Sequence, residues 1–214
     1  MQSFVDEIAH ELRRDPLELR LQLLGPAREI EYGGHGGPKY DTGRLANVLR
    51  LAAERIGWGR RVPETHGLGI AAHFTFGGYA AHALEVQVRG GNVRVVRCAC
   101  AIDVGQVVNP LGVRAQAEGG TLDGLSTALA LAMTFEGGRA RERNFDSYPL
   151  LRMADAPTVD VVVVDSRAAP SGAGEMVWRI WGDGPPVVLF HGGHGSWTHW
   201  IRTIPELAKR YRLY

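Results

Sequence analysis

Three consecutive runs of alternating and β-branched residues, Leu68 to Phe74, Tyr79 to Val88 and Val93 to Ile102, constrain this chain more than any other feature. A period of two sends successive side chains to opposite faces of a pleated backbone, so these runs read as strands. Gly90-Gly91 between the second and third is a hairpin signal, because the favoured two-residue turn needs positive φ at both central positions. A mixed or antiparallel sheet is therefore the frame to which the rest must attach.

Helical spacing surrounds that frame. Phe4, Ile8 and Leu12 line one face of an opening helix. Asp15-Pro16-Leu17-Glu18 reads as a fresh helix start, with Asp as N-cap and Pro at the first position, and Gly25-Pro26 stops it. After a Gly-rich, charged loop from Arg28 to Lys39, a third helix from about Arg44 to Ile56 presents Leu45, Val48, Leu49, Ala52 and Ile56 before Gly57. These first helices are expected to be small and superficial. Pro110 to Met133 is helical, with Val113, Ala117, Leu122, Leu125 and Leu129 inward. The adjacent Gly119-Gly120 lower helix propensity mid-run, which points to a close approach of backbone or ligand. Met133 to Phe135, the turn Glu136-Gly137-Gly138 and the run Val159 to Val164 complete an α+β pattern.

After Glu175 the texture changes. Val177 to Trp181, the turn Gly182-Asp183-Gly184 and the fully apolar Val187 to Phe190 read as two strands, followed by His191-Gly-Gly-His-Gly195 and a Trp-rich amphipathic helix. Another strand begins as the chain reaches Tyr214. A fully apolar strand calls for parallel neighbours that bury both its faces, and Val187 to Phe190 lacks them, so it is expected to be an aggregation liability unless it borrows an edge from the first domain.

Charge narrows the function classes. Lys and Arg number 24 against 23 Asp and Glu, with no basic block longer than Arg13-Arg14 or Arg60-Arg61, so no nucleic-acid partner and no membrane surface is expected. No apolar run approaches the ~20 residues of a membrane span, and Asp6, Glu7, His10 and Glu11 interrupt any N-terminal export signal. Cys98 and Cys100 stand two apart in a strand, face the same way and are poorly placed to bridge each other. They read as buried free thiols, and the compartment as reducing and cytoplasmic. His73 and His82 fall on strands as core or edge residues. His191, His194 and His199 lack a Cys or carboxylate at ligand spacing, so no metal held by side chains is expected. Gly124-Leu-Ser126-Thr-Ala128 is close to a nucleophile-elbow pattern, but it sits on a helix instead of a strand-to-helix turn.

Taken singly, a Glu after a Gly-rich loop reads as a solvated carboxylate, Gln116 as a helix-surface residue and Asp103-x-Gly as a strand-ending turn. Taken in order, Asp103-Val-Gly-Gln-Val-Val-Asn-Pro110, Gln116-Ala-Glu-Gly-Gly120, Gly124-Leu-Ser126, Asn144-Phe-x-x-Tyr-Pro149 and Gly172-Ala-Gly-Glu175 form a set. With Gln2-Ser-Phe-Val-Asp-Glu-Ile-Ala and Asp15-Pro-Leu-Glu-Leu-Arg, this set resembles the molybdopterin-binding subunits of the xanthine dehydrogenase and aldehyde oxidase family, over roughly residues 1 to 176. It is similar to the two-subunit members such as isoquinoline 1-oxidoreductase.

The resemblance implies a molybdenum–molybdopterin cofactor, hydroxylation of an aldehyde or N-heteroaromatic carbon, and electron transfer to a separate iron–sulfur subunit. It makes Glu175 the general base, Gln116 the pterin-binding amide, and Gly119, Gly120 and Gly124 the backbone that lies close to the cofactor. Members of that family carry several hundred further residues upstream, including a second cofactor-binding half. The chain is accordingly expected to be a truncated subunit, inactive alone and reliant on an upstream half. Residues 177 to 214 resemble the opening of an α/β-hydrolase, in which His191, Gly192 and Gly193 would shape an oxyanion hole. The nucleophile, acid and catalytic His of that fold are not in the sequence, so a hydrolase fragment or a non-functional fusion product stands as the alternative.

Overall fold

The computed structural model describes residues 2–31, 39–169, 179–189 and 197–214. The chain divides into two compact units, Met1–Gly172 and Ala173–Tyr214.

The first unit opens with α1 (Gln2–Glu11) and α2 (Pro16–Leu24). Asp15 caps α2 as its sequence foretells, its carboxylate accepting from the Leu17 and Glu18 amides at 2.8 and 3.0 Å. The short pair β1 (Glu29–Ile30) and β2 (Tyr40–Asp41) leads into α3 (Thr42–Ile56), which Asp41 caps and Gly57 ends in the left-handed conformation. Then come β3 (His66–Thr75), β4 (Gly78–Arg89) and β5 (Asn92–Asp103), which pair in succession antiparallel, with positive φ at both Gly90 and Gly91. The chain continues through α4 (Pro110–Leu129) and the small hairpin β6 (Phe135–Glu136) and β7 (Arg139–Ala140) to β8 (Thr158–Val163). β8 joins β5 in parallel, so the sheet order is β3-β4-β5-β8.

Strand parity decides what lies on each face. From β4 and β5, Tyr79, Ala81, Ala83, Ala99 and Ala101 pack with Leu45, Val48, Leu49, Ala52 and Ile56 of α3. The small alanines let the helix approach the sheet closely. Cys100 and Val161 pack with Ala117 of α4 on the other face. Because helices cover both faces, the middle of β5 is apolar on successive residues from Cys98 to Ala101.

Several expectations change here. The third helix is not superficial: α3 is the layer that covers the sheet, and every inward residue assigned to it is buried. On α1, Phe4 is 60% exposed and Leu12, just past its end, 56%, while Ile8 is half-buried and Ala9 fully buried, and polar contacts help to hold the helix. Buried Arg20 of α2 reaches Asp6 Oδ1 at 2.7 Å and the Gln2 carbonyl at 3.0 Å. α4 ends at Leu129, short of Met133, and Leu129 is exposed. Its buried ridge is Ala117, Thr121 and Leu125, with Val113 and Leu122 only half buried.

In the second unit, β9 (Pro186–Val187) pairs in parallel with β10 (Arg212–Leu213) across a 3-10 turn at Trp197–Trp200 and the four-residue α5 (Ile204–Leu207). The apolar segment at Val187 gains one parallel neighbour from its own unit over two residues, while Val188 stays 45% exposed. The Trp-rich stretch is a tight turn, not the expected amphipathic helix. Of the first expected strand, Trp181 makes a single antiparallel bridge to Leu213, while Val177 and Trp178 lie outside the described residues.

Candidate functional site

The turn after β5 is built by Asp103. Parity places its carboxylate on the α3 face, where it is 2% exposed, and Oδ1 accepts from the Gly105 amide at 3.0 Å. That bond closes the strand-ending turn expected of Asp103-x-Gly. The chain then runs to Asn109, whose side chain caps α4 by accepting from the Gly112 amide at 3.0 Å, with Pro110 at the first helical position. Between this turn and the helix lies a groove of ≈ 490 Å³, lined by Ile102, Val104, Gln106, Val107, Val108, Asn109, Gly112, Val113 and Gln116. Its lining is largely apolar, with the amide side chains of Gln106, Asn109 and Gln116 as the polar groups.

The predicted cofactor residues converge on one side of α4. Gln116 lines the groove, and Gly119, Gly120 and Gly124 continue along the same exposed face. A Cβ on any of these three glycines would meet no atom within 4 Å among the described residues. Packing within the described structure therefore does not demand them, and they leave a strip of bare helix backbone beside the groove. Glu175, His191, Gly192 and Gly193 lie outside the described residues.

Other candidates resolve into structural roles. Ser126 is buried on α4, and its Oγ accepts from the Leu151 amide at 2.7 Å. The Thr121 hydroxyl donates to Ala117 O at 2.7 Å, so it must accept from His82 Nε2 at 2.9 Å. Burial lowers the His82 pKa and keeps the ring neutral, while exposed His73 stands on the edge strand. Cys98 and Cys100 are free and buried, and burial pushes the Cys98 thiol up to about 12. Among the described residues no group of His, Cys, Asp or Glu could hold a metal ion.

Sequence reasoning missed two buried acidic residues on the α3 face. Asp103 is gripped by Arg44 at the start of α3, Nε to Oδ2 at 2.9 Å and Nη2 to Oδ1 at 2.5 Å. The guanidinium also lies 4.4 Å over the ring of Tyr79, the cross-strand partner of Asp103. Beyond the other end of α3, Glu85, 5% exposed, meets His66 Nδ1 at 2.7 Å and the Arg60 guanidinium. Gln87 Nε2 meets the far nitrogen of that His at 3.0 Å. The available signal was parity: both acids continue rows of inward-facing residues on their strands.

The hydrogen bond from His66 and the charge of Arg60 together hold the Glu85 carboxyl below its usual range, against its burial. Burial alone would raise Asp103, but Arg44 and the Gly105 amide outweigh it and bring the pKa down. Both pKa values are depressed on folding. Their contribution is therefore fully present above the unfolded values, about 3.9 for Asp and 4.3 for Glu, and is lost as pH falls through the folded ones. Melting temperature is expected to hold down to about pH 5 and to fall steeply below about pH 4, less steeply in Glu85→Gln. A wild-type profile flat to pH 3 would contradict this.

The described residues contain no helix long and apolar enough to cross a membrane. A family profile described as "Molybdopterin cofactor-binding domain" matches residues 46–157. Isoquinoline 1-oxidoreductase subunit beta of Brevundimonas diminuta is 35% identical over 180 residues, covering 82% of this chain and 21% of that protein. Membrane-bound aldehyde dehydrogenase (pyrroloquinoline-quinone) of Gluconacetobacter polyoxogenes is 32% identical over 187 residues, 82% of this chain and 23% of the relative. The crystal structure of quinoline 2-oxidoreductase from Pseudomonas putida 86 aligns at 18% identity and TM-score 0.41, over 44% of this chain and 13% of that one. The chain spans 21% and 23% of the length of those two curated relatives.

Proposed function

The chain belongs to the molybdopterin cofactor-binding domain family, and on that premise we propose that the groove at the head of α4 is one wall of a molybdenum-cofactor site in an oxidoreductase. The observation that carries this reading is the continuity of the groove at Gln116 with the side-chain-free strip of Gly119, Gly120 and Gly124. A flat heterocycle can lie on such backbone without meeting a Cβ.

The residues present fit one side of a phosphorylated pterin. Gln116 and Gln106 supply amide donors and acceptors suited to a heterocycle edge. The N-terminus of the 20-residue α4 opens at Asn109 into the same groove, where backbone amides and the helix dipole favour a phosphate. The apolar Val104, Val107, Val108 and Val113 thin the water around such a group and so strengthen its polar contacts.

When bound, the cofactor would supply the two-electron oxidation of the substrate carbon. This chain's part is to hold it, orient it through Gln116, and move a proton. Glu175, in Gly172-Ala-Gly-Glu175, takes the role of general base through its carboxylate. We assign an aldehyde or N-heteroaromatic substrate, an iron–sulfur subunit as electron acceptor, and a second cofactor-binding half as partners. Two relatives are named for isoquinoline and aldehyde oxidation, which supports that substrate class. The free, buried thiols suit the reducing conditions of the cytoplasm. Residues 177–214 we read as an α/β-hydrolase-like segment following residues 1–176, supported by the parallel β9–β10 ladder across a helical connection.

The full chain, produced in molybdenum-replete cells with the remaining part of a relative's molybdenum subunit, is expected to retain pterin, measured by fluorescence after oxidation, and molybdenum, measured by mass spectrometry. Gln116→Ala and Gly120→Leu are expected to cut both at least about tenfold, the loss typical when residues supporting a bound cofactor are removed. A wild-type complex free of pterin, or variants that retain it fully, would overturn the reading.

A further inference from the structure

One buried ion pair ties together two segments that matter to the groove. The Asp103 carboxylate, held by Arg44, accepts from the Gly105 amide and so closes the turn that starts the groove wall. The same turn is bound to the chain beyond β8, because the Gln106 amide donates to Ala168 O at 2.9 Å. Gly105 sits so close to that chain, at φ +78°, that a Cβ on it would collide with the Ala169 carbonyl. The Ser166 side chain completes the junction. Its hydroxyl accepts from the Ala168 amide at 3.2 Å and helps to hold the Asp103 pKa down. The segment Ser166–Ala169 leads directly in sequence to Gly172-Ala-Gly-Glu175.

We infer that Arg44 and Asp103 are positioning residues, whose pair holds the groove wall and the lead-in to Glu175 in one fixed relation. The inference rests on the reading of the groove and of Glu175 given above. A buried ion pair contributes little net stability compared with an apolar pair of the same shape, so stability alone is a poor reason for one here. A two-pronged guanidinium–carboxylate contact sets both distance and plane, which a single apolar contact does not. Arg44 is itself oriented by the face of Tyr79, so the grip starts from the sheet. Lysine would keep the charge at this position and lose the fork.

The readout is independent of cofactor. Arg167 is exposed inside the anchored segment, and Arg50 is exposed on α3, where cleavage needs the domain to unfold. Trypsin cleavage of the full-length chain at both sites, followed by mass spectrometry, separates local release from global loss. Cleavage after Arg167 is expected to rise at least about tenfold in the pair variant Arg44→Met/Asp103→Leu, in Gly105→Ala and in Arg44→Lys, with cleavage after Arg50 near wild type. Ser166→Ala leaves the pair in place and guards against variants that do not fold. It should raise Arg167 cleavage severalfold.

Equal acceleration at both sites would show that the pair holds the whole domain, and unchanged cleavage after Arg167 that it holds nothing local; either result overturns the inference. In the cofactor-loaded complex, Arg44→Lys should lower kcat with KM little changed, and equal effects on both would likewise count against it. Absence of pterin from the wild-type complex, with Arg167 still released in the variants, would instead sink the functional reading and leave the anchor standing.

Discussion

Arg44→Ala is expected to lower the free energy of unfolding by roughly 3–5 kcal/mol, the range for removing one partner of a buried ion pair. The loss comes from what stays behind. The Asp103 side chain is 3% exposed, and without Arg44 its charge still accepts from the Gly105 amide but loses its counter-ion. The Arg44 side chain is 19% exposed, so some water can reach the gap, and the lower half of the range is the better expectation. The pair variant Arg44→Met/Asp103→Leu removes both charges and leaves the Gly105 amide without its acceptor, so it should cost about 1–2 kcal/mol, less than the single variant. Urea denaturation followed by circular dichroism measures both. A loss under about 1 kcal/mol for the single variant would mean that the carboxylate rehydrates and that the pair is not a buried one in solution.

Tyr79→Ala should cost about 3–5 kcal/mol by opening a cavity in the larger core. Tyr79 is 1% exposed, with its ring centroid 4.9 Å from that of Phe74 and 6.3 Å from that of Tyr40. Its hydroxyl accepts from the Asp41 amide at 2.8 Å, beside the cap of α3. Tyr79→Phe keeps the ring and leaves that amide without its acceptor, at a cost of about 1–2 kcal/mol. The contrast between the two separates ring packing from the hydrogen bond. Similar losses in both would place the stabilisation in the hydroxyl and refute the packing account.

Much of the frame was legible because it depends on neighbours in sequence. Alternation placed β3, β4 and β5, paired glycines placed their hairpin, and Asp15 and Gly57 marked helix ends through local hydrogen bonds. The exposure of Phe4 and Leu12 was not legible. Phe4, Ile8 and Leu12 have helical spacing, yet Phe4 and Leu12 stand exposed, and the Arg20 contacts join the buried Ala9 in holding that helix. Spacing says which residues share a face and is silent on which face is covered. The same limit applied to Leu129, which shares the inward spacing of α4 and stands exposed at its last turn.

The candidate site divides along the same line. Gln116, Gly119, Gly120 and Gly124 were gathered through the family resemblance, and helical geometry then puts them on one face. That this face borders a groove, and that its glycines are free of packing neighbours among the described residues, depended on how the turn after β5 folds back. By itself the sequence determined β3, β4 and β5, the first three helices with the Asp15 cap and the Gly57 stop, and the family, since each rests on residues close along the chain or on motifs in order. Only the tertiary structure decided that Arg44 meets Asp103, 59 positions away, and that Gly105 abuts Ala169. Such contacts depend on which sheet face each helix covers and on where each strand ends, quantities no local pattern encodes.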